Sequence, residues 1–180
     1  LLVLISSDLR KTNDNNIIQR IICLLIPEMW MDIDTLARMR IENIIIQSIE
    51  NNDYLATWCT ELFKHFTSKE NLFNIIEKKC VSDKVEDINY LYKYCFLAVT
   101  NLIKEDGIYS NNSEKDPFSI YPGFIWTIRY KIENGDKNHY TNIKKFRYVL
   151  PVFINRYFND AIKSFDSKTS KPNIPEDIPF

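Results

Sequence analysis

Glycine is nearly missing from this chain, at 3 residues in 180 against about 7% in ordinary domains. Glycine supplies the left-handed backbone of tight turns and lets the chain approach a phosphate closely. Its scarcity leaves no Rossmann fingerprint and no P-loop, and it disfavours a fold rich in β-hairpins. Histidine is scarcer still, at 2 residues. There is no H-x-x-x-H or C-x-x-C pair, so neither a metal nor another cofactor is expected. Cys23, Cys59, Cys80 and Cys95 lie far apart in or near apolar runs. That distribution predicts buried free thiols in a reducing intracellular compartment, cytoplasm or nucleus, rather than a disulfide framework. No apolar run approaches the ~20 residues of a membrane span, and Leu1 to Ile5 is too short for a signal core. The chain does not begin with Met and reads as a fragment of a longer one.

What the chain has is helix-forming pattern. With 45% hydrophobic and 13% aromatic residues it can bury a sizeable core and need not be disordered. Leu1 to Leu9 reads as a short helix. "IIQRIICLLI" (17–26), capped from Asp14, runs to Pro27, which stops or kinks it. Asp34 caps a helix reaching Asn51-Asn52. Asp53 is the candidate cap of "YLATWCTELFKHF", and Thr67 or Ser68 of "KENLFNIIEKKC", with Glu70 near the capping-box position. The strongest pattern follows. Ile88, Leu91, Tyr92, Cys95, Phe96, Val99, Leu102 and Ile103 recur at three- and four-residue steps, and Gly107 is the candidate C-terminal glycine. Residues 107–117 form a polar loop. A last stripe from Phe146 to Tyr157 is interrupted by Pro151. The expected fold is all-α: a single helical domain over 1–165 with an extended, proline-containing tail over 166–180. Its helices either stack as antiparallel pairs in a short α-solenoid or close into a compact bundle.

Residues 17–51 resemble one HEAT-type helix pair: "IIQRIICLLI", a turn ending at Asp34, then "TLARMRIENIIIQSI" with Arg38 and Arg40 near its start. The resemblance implies a curved stack of helix pairs holding a protein or nucleic-acid partner on one face.

No catalytic constellation emerges, and a non-enzymatic role is expected. Cys59 and His65 are six apart on one expected helix, about 240° around its axis, so they diverge. Glu61 and His65 can meet as a surface pair. His139 stands in a polar link. Most carboxylates sit near expected helix starts, where capping accounts for them. Charge is unevenly placed: residues 1–120 hold 13 Lys and Arg against 18 Asp and Glu, while residues 121–171 hold 10 against 4. Within the basic part, Arg129, Lys131, Lys144, Lys145, Arg147 and Arg156 alternate with tyrosines. With Trp126 and Tyr130 they are the candidate partner-binding residues. The expected role is a scaffold or adaptor for a protein partner. The alternative is RNA or other nucleic acid, whose phosphates and bases suit cations and rings. A third reading is a small regulatory bundle whose groove accepts a helix. No small-molecule ligand is expected.

Residues 124–150 pose the sharpest structural question. Trp126, Ile128, Tyr130 and Ile132 alternate with polar residues ahead of Asn134-Gly135, which suits a β-hairpin. Folded that way, the second arm sets Lys137, His139 and Thr141 opposite an apolar face, a poor pairing. As a helix, Phe124, Ile125, Ile128 and Ile132 share one face, and Gly135 falls just past its end. Two helices joined by "NGDKNHY" are favoured, with the hairpin as the alternative.

Overall fold

The computed structural model describes residues 27–30, 32–67, 69–105 and 122–169. Among them the chain is all-helical and contains no strand. Pro27 opens the short helix α1 (Pro27–Trp30), where its missing N–H costs nothing. The expected helices at 1–9 and 17–26, the loop at 107–117 and residues 170–180 lie outside the described residues.

Asp34 caps α2 (Thr35–Glu50), its carboxylate accepting from the Ala37 N–H. The helix ends in a Schellman motif: Asn52 N–H donates to the Ile49 carbonyl and Asp53 N–H to that of Ser48. Asn52 takes the left-handed position at φ 58°, which asparagine tolerates better than most residues. The single helix expected after Asp53 is instead α3 (Leu55–Trp58) followed by a 3₁₀ turn (Thr60–His65). The tighter winding turns Leu62 and Phe63 inward. α4 (Lys69–Val81) follows. Ahead of it, the Thr67 N–H and hydroxyl both donate to the buried Glu42 carboxylate, so the chain is tied back to α2 there.

Residues 85–105 form the strongest helix of the sequence in three parts: α5 (Val85–Tyr90), a π segment (Leu91–Cys95) and α6 (Phe96–Glu105). Tyr90 and Tyr92 sit two positions apart, about 200° around the axis. Tyr90 donates to the Asp53 carbonyl on one side, and Tyr92 reaches His139 on the other.

No hairpin forms at 124–150. The segment is α7 (Gly123–Glu133) and α8 (Lys137–Phe146), joined by three residues. Burial decides it: Phe124, Ile125, Ile128 and Ile132 are fully buried on one face of α7, a helical spacing no strand reproduces. Asn134-Gly135 makes a helix stop rather than a hairpin turn. Gly135, at φ 92°, donates to the Ile132 carbonyl and Asp136 to that of Lys131, again a Schellman motif. Asp136 then caps α8 through the Asn138 and His139 N–H groups. Pro151 separates α8 from α9 (Val152–Thr169). α9 continues past Asp166, where the sequence pattern places the start of the tail. The reason is tertiary: Asp166 accepts from the Tyr140 hydroxyl, and Lys168 donates to the Glu133 carbonyl.

The packing has a regular order. α2 lies on α4, α4 on α7, and α7 on α9, while α3 and the 3₁₀ turn meet the 85–105 helix. Trp30, Phe63, Phe96, Phe124 and Phe158 are its largest fully buried side chains.

Candidate functional site

The predicted partner-binding residues divide into two groups. The first is held down. Arg129 on α7 donates to Glu133 at 2.7 Å and to the Tyr157 carbonyl at 3.3 Å, and its guanidinium lies 4.6 Å from the Tyr157 ring centre. Trp126 is half-buried and meets the Tyr157 ring edge-on, with ring centres 5.4 Å apart. Lys131 reaches Asp83 at 3.3 Å and the Val81 carbonyl. Lys144 bonds the Tyr140 hydroxyl at 2.6 Å and lies 3.5 Å from Asp166. The Tyr140 hydroxyl and the Lys144 charge hold the Asp166 carboxyl below the usual carboxylate range. These cations join α7 to the α4–α5 turn and α8 to α9.

The second group is exposed at the turn between α8 and α9. Tyr148, Val149 and Val152 are 87%, 61% and 67% exposed, whereas Leu150 between them is buried in the core. The Arg147 guanidinium lies 5.4 Å from the Tyr148 ring centre. Lys145 and Arg156 are exposed, and neither pairs with a carboxylate among the described residues. Val152 and Arg156 are four apart on α9 and share a face. Pro151 fixes the turn that presents the apolar groups: it ends α8's reach and removes a donor. Tyr130 is also exposed, on α7. Of the four tyrosines among the basic residues, Tyr140 stacks on Phe165 at 4.0 Å and Tyr157 is enclosed by Trp126 and Arg129. Only Tyr130 and Tyr148 offer an open ring.

Two buried polar networks escape the sequence pattern. Lys79 is 5% exposed. Its ammonium donates to the Glu50 carbonyl at 2.6 Å, Asn52 Oδ1 at 2.9 Å and Asp87 Oδ1 at 2.7 Å. Asp87 also accepts from Asn52 Nδ2 and the Ser82 hydroxyl. Burial alone would push the Asp87 carboxyl up. The bonds from Lys79, Ser82 and Asn52, with the Lys79 charge, outweigh that and hold it at about 2. The network uses all three ammonium hydrogens, so Lys79 is a clamp between α2, α4 and α5 and not a reactive amine.

His139 is the second. It reads as a link residue in the sequence, yet it is fully buried on α8. Its Nε2 lies 3.1 Å from the Cys80 carbonyl, and Nδ1 lies 2.7 Å from the Tyr92 hydroxyl. A carbonyl can only accept, so Nε2 carries the proton and Nδ1 accepts from Tyr92. Burial pushes the imidazole pKa down, against the Asp136 charge and the Cys80 bond that pull it up. The signal that could have found His139 is the cap: Asp136 starts a helix whose inward positions are His139 and Ile143.

Among the described residues no group of three or more His, Cys, Asp or Glu side chains could hold a metal ion, and no helix is long and apolar enough to cross a membrane. Cys59 and His65 occupy the α3–3₁₀ region, with Cys59 buried. The chain matches no known family profile, no curated protein and no solved structure.

Proposed function

We propose that this protein is a non-enzymatic helical scaffold, working in a reducing intracellular compartment, that binds an acidic protein partner through the α8–α9 turn. The observation that carries the reading is the exposure of Tyr148, Val149 and Val152 along one short turn, with Arg147 against the Tyr148 ring and the exposed Lys145 and Arg156 on the flanking helices. An aromatic and aliphatic centre with a cationic rim is what an interface anchor needs. The rim accounts for an acidic partner by charge complementarity. The succession of contacts from α2 to α4, α4 to α7 and α7 to α9 supports a HEAT-like stack over a closed bundle. The two open tyrosine rings are a small platform for bases, which favours protein over nucleic acid.

The test is site-specific photocrosslinking from position 149 of the full chain in its source cells, compared with position 54, an equally solvent-facing site. The expected result is a discrete adduct with an acidic protein at 149 and not at 54. The double variant Tyr148→Ser, Arg147→Glu should abolish it with an unchanged melting temperature. Binding of single-stranded RNA at low salt that the same variant abolishes would replace this reading with the nucleic-acid one.

A further inference from the structure

A groove of about 1120 Å³ runs between α2 and α4, away from the α8–α9 turn. Its apolar floor is Ile46 and Ile75, with Val81, half exposed, at one end. Asn43, Ile46 and Glu50 line the α2 side at steps of three and four residues. Asn71, Asn74 and Lys78 line the α4 side with the same spacing, so each set shares one helix face. The Lys79–Asp87 clamp closes one end. Because it crosses from α4 to the end of α2, it fixes the two walls relative to each other.

We infer that this groove holds an extended peptide segment carrying Lys or Arg, gripped along its main chain by the asparagine carboxamides. A carboxamide offers an acceptor and two donors, the complement of a peptide group. The Asn43 and Asn74 side chains are exposed and make no hydrogen bond within the described residues. A helical ligand has already paired its backbone groups internally, whereas an extended one presents them. The walls therefore select extended chain. From Asn43 to Glu50 the groove wall is about 10 Å long, the span of about three extended residues.

Charge selects the side chain. Lys79 is neutralised by Asp87 at 2.7 Å, and Lys78 lies 3.9 Å from Glu50. Asp83 has Lys131 at 3.3 Å. Glu77 is the carboxylate left over: it accepts from the neutral Thr127 hydroxyl at 3.2 Å and has no cation beside it among the described residues. Its carboxylate rests over Gly123, where a Cβ would stand only 2.3 Å from Oε2. An arginine or lysine of the bound segment supplies the missing charge.

The experiment displays eight-residue random peptides, each with one central arginine, against the immobilised full chain, with a matched library carrying glutamate instead. Enrichment of arginine peptides alone is expected. Enriched peptides are then measured by fluorescence polarisation. Asn43→Ala with Asn74→Ala should weaken binding about tenfold, the loss of one or two hydrogen bonds. Glu77→Gln should remove most of the preference for arginine over its neutral replacement. The Tyr148→Ser, Arg147→Glu variant should bind them as well as the parent. No enrichment, equal enrichment of glutamate peptides, or affinity indifferent to the asparagine pair would overturn the inference. So would binding lost only in the α8–α9 variant, which would place the peptides there instead.

Discussion

Replacing Asp87 by alanine tests how the α2–α4 wall is held. The substitution removes three accepted hydrogen bonds, from Lys79 at 2.7 Å, Asn52 at 2.8 Å and Ser82 at 2.6 Å. It also strands an ammonium whose side chain is 7% exposed. Breaking a buried pair from one side costs about 3–5 kcal/mol. Lys79 keeps the Glu50 carbonyl and Asn52 Oδ1, so the lower end, about 3 kcal/mol, is expected. That is a large share of the ~5–15 kcal/mol typical of a folded domain. Urea unfolding followed by far-ultraviolet circular dichroism at pH 7 measures it, with the m-value unchanged. Lys79→Met should cost less, because it leaves no buried charge on the α4 side. The double variant should be at least 1 kcal/mol more stable than the summed single losses predict. An Asp87→Ala loss below about 1 kcal/mol, or a cycle that simply adds, would refute the clamp. Its pH dependence has a definite sign. The folded carboxyl titrates near 2, below its ordinary 3.8. The stabilisation is therefore complete above the ordinary value and is lost as pH falls towards 2.

His139→Phe should destabilise the protein by about 2–4 kcal/mol, because it leaves the Tyr92 hydroxyl and the Cys80 carbonyl buried without partners. The folded state favours the neutral imidazole, so wild-type stability should fall as pH drops below the ordinary histidine value, about 6.5. The variant should lack that component in parallel urea titrations at pH 7.5 and 5.5. Cys59, Cys80 and Cys95 are buried, and burial pushes the Cys95 thiol up to about 12 despite the Tyr90 hydrogen bond and Lys79 charge that lower it. A chromogenic disulfide reagent should therefore find at most one thiol in native protein and four after denaturation. Gly135→Ala should cost about 1 kcal/mol in the same unfolding assay, since φ there is 92°.

Much of the helix inventory was readable because local rules set it. Asp34 begins α2 with a short acceptor placed before an apolar-periodic run, and Gly135 ends α7 because a left-handed residue is needed there. The same rules misplace the rest. Trp126, Ile128, Tyr130 and Ile132 alternate as in a strand, yet the helix is chosen because α4 and α9 bury Phe124, Ile125, Ile128 and Ile132 together. The candidate surface was half legible. The basic and aromatic composition of 121–171 singled out this stretch, but which of its cations are free depended on carboxylates and carbonyls brought from elsewhere. Arg129 and Lys144 are taken by Glu133, Tyr157, Tyr140 and Asp166, while Lys145 and Arg156 are not.

By itself, then, the sequence determined that the described residues would be helical and where α2, α4, the 85–105 helix and α7 start and stop. Near-absence of glycine, three- and four-residue periodicity and side-chain caps act over a few residues and need no tertiary partner. Only the tertiary structure decided that Lys79 and His139 would be buried, that Glu77 would keep no cation, and that Tyr148, Val149 and Val152 would face outward. Those outcomes depend on groups 47 to 59 positions apart for His139, and 8 to 29 for Lys79. Desolvation and hydrogen-bond satisfaction are properties of the packed neighbourhood, which local pattern does not carry.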